Sequence, residues 1–232
     1  CDIRDSPMSR SSDVNTMLGG QTFEHFMRAL LLCHTVVPNH EAARAAEQAA
    51  AAIVAAGGKK PVPPKKGSKA ETALKKARYR AESPDELALI LGVEYFNSMF
   101  MDKSASNLSI RLKGAEVTFD QLAVNAFNAD RKRMSVLMKS STGEYFLICK
   151  GADNIMLPLT KLNQNEEKKR QVAQRLHEMA VDGLRTLVIA QKKLTESQAM
   201  QWLSTFKDAS SSLEDRESKL GDCAAELEQE MD

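Results

Sequence analysis

Apolar positions along the chain switch between a helical and a two-residue period, and each switch marks an element. From Gln21 to Val37 the residues Phe23, Phe26, Met27, Leu30, Leu31 and Leu32 recur at helical spacing, which predicts an amphipathic helix stopped by Pro38. In "ESPDELALILGVEYFN", Ser83 as N-cap, Pro84 at the first helical position and Glu86 three residues after the serine make a capping box. Leu87, Ile90, Leu91 and Val93 then carry a helix to about Asn97. Between Asn107 and Lys150 the period falls to two, and "LSIRL", "AEVTFDQLAVNAF", "KRMSVLMKS" and "EYFLICK" read as strands. The "SSTG" between the last two predicts a hairpin turn in which Gly143 supplies a positive φ. Helical spacing returns in "NEEKKRQVAQRLHEMAVDG", with Val172, Leu176, Met179 and Ala180 facing inward and Gly183 as C-cap. "LRTLVIAQ" predicts a buried strand, and a closing helical stretch starts at the cap residue Thr195. Consecutive strands linked by hairpins, with helices around them, predict an α+β fold with a mainly antiparallel sheet flanked by helices.

Composition alters this picture in two places. Residues 1–20 are polar and rich in Ser, Asp and Gly, which predicts a flexible lead-in. Segment 39–78 begins with the alanine-dominated "EAARAAEQAAAAIVAAGGKK" and passes through "PVPPKKGSK"; it reads as a low-complexity insertion, with the fold resuming at Tyr79. The expected organisation is a single domain over 21–220 containing that insertion, followed by a charged end at 221–232.

With 232 residues, 43% of them hydrophobic, the chain can fill a substantial core. A formal net charge of +1 argues against a general nucleic-acid binder, and an aromatic content of 5% argues against a single-strand stacking surface. Cys1, Cys33, Cys149 and Cys223 are widely spaced and form no CxxC pair, so a reducing compartment is expected. His25, His34, His40 and His177 lack partners at metal-ligand spacing. No apolar run approaches the roughly 18–20 residues of a membrane helix, and glycine-rich phosphate cradles of the GxGxxG or GxxxxGK type are absent.

The remaining chemistry gathers near one hairpin. Lys150 closes a strand just before Gly151, so a rigid element would hold its ammonium and the glycine would admit a ligand; the bland alternative is a lysine reaching into water. Phe127 lies at a strand end, where aromatics are usually core. Arg131, Lys132 and Arg133 read as a solvated edge, with alternation placing Arg131 and Arg133 on one face. Arg185 stands as a charge inside an apolar strand and would need an anionic partner. Glu86 is accounted for by the capping box.

Five motifs occur in a fixed order: "LCHTVVP" at 32–38, "YRAESPDELAL" at 79–89, "FNADRKRMSVLMK" at 127–139, "LICKGADNIM" at 147–156 and "DGLRTLVIA" at 182–190. In these the chain resembles the nucleotide-binding (N) domain of type-IV P-type ATPases, the phospholipid flippases. The resemblance implies binding of the adenosine part of ATP, with Glu86 near the adenine, Phe127 stacked on the base, Lys150 lining the pocket and Arg185 directed at the phosphates. It also implies a cytosolic domain of an integral membrane pump. That pump would carry phospholipid through a transmembrane part absent from this chain and would associate with an accessory subunit. The phosphorylated-aspartate motif DKTGT is missing, so the Mg²⁺ ligands and the catalytic aspartate are expected outside this chain, which should bind ATP without turning it over. One departure is Ala129, where the family often has Ser. Two other readings stay open at this point: an ion-transporting P-type relative, and an interaction module that uses the basic insertion and no nucleotide.

Overall fold

The computed structural model describes residues 21–56 and 68–232, so the lead-in 1–20 and the glycine–lysine–proline run 57–67 lie outside the described residues. In chain order the elements are α1 (Gln21–Leu32), β1 (Val37–Pro38), α2 (His40–Ala55), α3 (Lys69–Ala77), β2 (Tyr79–Arg80) and α4 (Pro84–Val93). Then come β3 (Met99–Lys103), β4 (Asn107–Leu112), β5 (Ala115–Asn125), β6 (Arg133–Ser140), β7 (Tyr145–Gly151) and the short α5 (Asp153–Met156). The chain closes with α6 (Glu166–Val181), β8 (Val188–Leu194), α7 (Glu196–Ser211) and α8 (Arg216–Leu227). Strands β3 to β8 form a six-stranded sheet in sequence order, and β1 pairs with β2. The α+β expectation with a mainly antiparallel sheet holds.

By their internal contacts the residues divide into two compact units: one runs to Ala105 and includes Ser109–Glu116, the other holds Ser106–Leu108 and Val117–Asp232. In the first, α1 buries Met27, Leu30, Leu31 and Leu32. It ends at Leu32, short of the expected Val37. A residue before proline disfavours the helical region, and the β-branched Thr35, Val36 and Val37 reinforce the extended path. Val37 and Pro38 pair antiparallel with Arg80 and Tyr79. This two-rung ladder brings together the two ends of segment 39–78, and Asn39 secures it by donating its backbone N–H to the Arg78 carbonyl at 2.7 Å. Strand β3, "MFMDK", was missed because three apolar residues in a row show no alternation.

In the second unit β5 to β8 pair antiparallel, with one register shift in β5 between Gln121 and Ala123. The expected hairpin turn forms between β6 and β7, with Gly143 at φ +86°. Ala123, Leu137, Leu147, Cys149 and Ala190 point to one face of the sheet, where they pack with Ala199 and Trp202 of α7 and Cys223 and Leu227 of α8. The Trp202 indole N–H donates to the Cys223 carbonyl at 2.8 Å, tying the two helices. The closing helical stretch is thus two helices, separated around Asp215 at φ +53°. The last residues cover the outer edge of β8: Gln191 and Asp232 exchange both backbone hydrogen bonds, at 2.9 and 2.7 Å. Helix α6 differs from expectation. Val172 and Leu176 are half-buried, but Met179 and Ala180 on the same stripe are exposed.

Candidate functional site

The antiparallel register of the second unit sends β5 and β7 toward the same end of the sheet from which β6 and β8 depart. One transverse row reads Asn125, Ser135, Cys149 and Ala190; the next reads Arg133, Gly151 and Val188. Phe127 follows Asn125 by two residues, Lys150 falls between the rows, and Arg185 precedes Val188 by three. The register therefore gathers Phe127, Lys150 and Arg185, which are up to 58 positions apart in the chain (185 minus 127), at one end of four strands.

Phe127 is 62% exposed, which overturns the bland reading of a core aromatic at a strand end. Exposing a phenyl ring forgoes about 1.5–3 kcal/mol of burial. Lys150 is 6% exposed. It lies on the side of the sheet opposite Leu147 and Cys149, beside Met134 and Ile189. A strand-end lysine reaching into water is excluded by that burial.

Gly151 acts differently from the expectation that it admits a ligand. A Cβ there would stand 2.6 Å from the Cβ of Arg133 and 2.7 Å from the Lys132 carbonyl oxygen. The glycine is needed by the protein's own hairpin. It lets Lys132, at φ +49°, turn its carbonyl to accept from the Ala152 N–H at 3.1 Å. The loop that carries Phe127 is thereby tied to the strand end that carries Lys150.

Arg131 lies in the turn before β6, so strand alternation does not place it, and neither Arg131 nor Arg133 is a solvated edge. Both guanidinium groups bond the carboxylate of Glu228, which has no solvent exposure and lies just past the end of α8. Ser135 donates to the same carboxylate at 2.6 Å and accepts from the Asn125 amide at 2.9 Å. Sequence reasoning missed Glu228 entirely. It sits in a run of charges at 226–232 with no local signal, and only the unexplained excess of cations at 131–133 hinted at a buried anion.

Arg185 is exposed and precedes β8, because the strand begins at Val188 and not at Leu184. The expectation of a charge inside a buried strand is corrected: Leu184 and Leu187 are each 39% exposed, so the segment is an open approach to the sheet end.

Glu86 belongs to the first unit. The Ser83 hydroxyl accepts from its backbone N–H at 3.4 Å, giving the serine half of the capping box. Its carboxylate oxygen Oε2 accepts from the Thr35 N–H at 2.9 Å and the Thr35 hydroxyl at 2.7 Å. This joins "LCHTVVP" to "SPDE" across the insertion. Burial lowers the Lys103 ammonium's pKa, and the Glu86 charge partly opposes that shift.

An exposed aromatic with a lysine and an arginine at the same sheet end suits a ligand that is flat at one end and anionic at the other. Among the described residues no group of three His, Cys, Asp or Glu side chains could hold a metal ion. No described helix is long and apolar enough to cross a membrane.

Known proteins are similar to this chain in sequence. A phospholipid-transporting ATPase DNF1 of Chaetomium thermophilum is 32% identical over 211 residues, covering 91% of this chain and 12% of its own. Phospholipid-transporting ATPase 2 of Arabidopsis thaliana is 35% identical over 154 residues, 66% of this chain and 14% of its own. Phospholipid-transporting ATPase IH of mouse is 32% identical over 214 residues, 92% of this chain and 16% of its own. The chain thus spans about one-eighth to one-sixth of the length of these relatives. The profile of the family "P-type ATPase, cytoplasmic domain N" matches residues 22–222, and the chain belongs to that family.

Proposed function

We propose that this chain binds the adenosine part of ATP and serves as the nucleotide-binding domain of a phospholipid-translocating P-type ATPase. The observation that carries the reading is the exposed Phe127 ring at the sheet end that also holds Lys150 and Arg185. Phe127 stacks on the base, Lys150 lines the pocket for the negatively charged nucleotide, and Arg185 is directed at the phosphates. Glu86 is assigned to the adenine on the family resemblance, and Thr35 holds its carboxylate in one orientation. Ala129 brings no hydroxyl to the site.

In the complete pump the γ-phosphoryl group passes from ATP to an aspartate carboxylate outside this chain, leaving ADP. That cycle drives phospholipid to the cytosolic leaflet; the names of the relatives support phospholipid transport. Mg²⁺ is held mainly outside this chain. Here the contribution of the chain is positioning and electrostatics.

An ATP titration followed by heteronuclear NMR tests the site. Shifts are expected at Glu86, Phe127, Lys150 and Arg185. Phe127→Ala and Lys150→Ala should each weaken binding about tenfold or more, since base–aromatic stacking alone contributes ~1–3 kcal/mol. Unchanged affinity in both variants would remove the assignment.

A further inference from the structure

Glu228 is a buried titratable group that the nucleotide reading leaves unused, and its bonds lead to the loop bearing Phe127 from both sides. On the near side, Arg131 donates one guanidinium N–H to Glu228 and another to the carbonyl of Ala126, the residue before Phe127, at 3.4 Å. On the far side, the backbone N–H of the same arginine donates to the Asn128 side chain at 2.7 Å, and Lys132 N–H donates to the Asn128 carbonyl at 2.9 Å. A second path runs from Glu228 through Ser135 to Asn125, two residues before the phenylalanine. Arg133 adds a third arm, bonding Glu228 through Nε at 2.6 Å and the Arg131 carbonyl at 3.4 Å.

We infer that Glu228 is a positioning residue for the nucleotide: its carboxylate fixes the Asn125–Arg133 loop so that the exposed Phe127 ring is held ready for the base. The inference rests on the nucleotide-site reading above. A ring that is 62% exposed has little packing of its own to hold it, so its placement comes from the backbone on either side. That backbone is bonded to two guanidinium groups, and the Asn125 side chain to a hydroxyl, and all three groups converge on one carboxylate. Holding the ring in its bound arrangement before ATP arrives removes an ordering cost from binding. Glu228 touches no ligand in this scheme and acts only through the loop.

The test is a double-mutant cycle on ATP affinity in the chain as it stands, with Phe127→Ala, Glu228→Gln and the double variant. Measurements are made well below every melting temperature. Leu227→Ala serves as the control, since it weakens the core at the same end of α8 without touching the loop. Glu228→Gln is expected to weaken ATP binding about tenfold, with Leu227→Ala at parental affinity even where it is the less stable protein. The double variant should bind no more weakly than Phe127→Ala alone, because the glutamate acts through that ring.

Parental affinity in Glu228→Gln, or losses that add in the double variant, would overturn the inference. An equal loss in Leu227→Ala would do the same by reducing Glu228 to a stability residue. If Glu228→Gln does not fold, Arg131→Lys replaces it in the same cycle. If Phe127→Ala binds ATP normally, the stacking role of Phe127 is wrong and the inference falls with it. A loss in Phe127→Ala without one in Glu228→Gln removes the positioning role alone.

Discussion

The Tyr79 hydroxyl donates to the Phe100 carbonyl at 2.8 Å while the residue is only 7% exposed. Burial, reinforced by the nearby Glu94 carboxylate and partly opposed by Arg78, pushes its pKa up from 10.0 to about 12. A tyrosine is charged only when deprotonated, so a raised folded-state pKa means the folded protein holds a proton that the unfolded chain releases earlier. The stabilisation is complete below pH 10 and is lost as pH rises from there toward 12. Ultraviolet titration should show one of the three tyrosines ionising near pH 12, and Tyr79→Phe should flatten the fall of melting temperature above pH 10. Gly151 supports a second prediction at this scale. Its substitution by alanine forces a Cβ to within 2.7 Å of backbone already committed to the Ala152 bond, so thermal unfolding should report a loss of about 1–3 kcal/mol. Single residues were also where the sequence was least legible. Type and neighbours suggested a core Phe127 and a buried Arg185, yet exposure depends on where a strand stops, and no local pattern marks the end of β5 at Asn125 or the start of β8 at Val188.

Elements were read more faithfully, because their signals are periodic and local. The four strands between Asn107 and Gly151, the turn at Gly143 and the cap at Thr195 all follow from alternation, glycine placement and side-chain oxygens. Failures came where tertiary context decides: the inward stripe of α6, the unbroken closing helix and the unalternating β3. Segment 39–78 pairs a largely exposed helix with two cations that reach one carboxylate. Helix α2 is largely exposed, but α3 presents Lys75 to Glu94 at 3.3 Å, and Arg78 reaches the same carboxylate at 3.1 Å. The Glu94 side chain is 9% exposed and its Oε1 has no hydrogen-bond partner. Replacing 39–78 by a two-residue Asn-Gly turn closes the ladder between Pro38 and Tyr79 without strain. It also removes both cations from a carboxylate with little access to water. The deletion should therefore lower the melting temperature, and adding Glu94→Gln should recover part of the loss because a neutral amide tolerates that setting. A deletion variant as stable as the parent would show that the two cations contribute nothing there.

At the scale of the whole molecule, the proposed nucleotide binding depends on what the chain supplies and what it lacks. Under the proposed reading, Phe127, Lys150 and Arg185, delivered by register at one sheet end, hold the nucleotide, while glycine-rich phosphate cradles are missing from the sequence and groups of three metal-ligating side chains from the described residues. An ammonium and a guanidinium can meet the triphosphate's charge directly, with no cation required as a bridge. ATP affinity of this chain should therefore survive removal of Mg²⁺ by EDTA, and added Mg²⁺ should neither strengthen binding appreciably nor start phosphate release. It should weaken as salt rises, because Arg185 is exposed and its attraction for the phosphates is screened. Calorimetry with ATP, ATP plus EDTA and adenosine separates these contributions. Adenosine keeps the stacking on Phe127 but loses the charge, so its affinity should be lower and nearly independent of salt. Binding that vanishes in EDTA would instead mean that this chain holds a metal together with the nucleotide, and the division of labour drawn here would have to be redrawn.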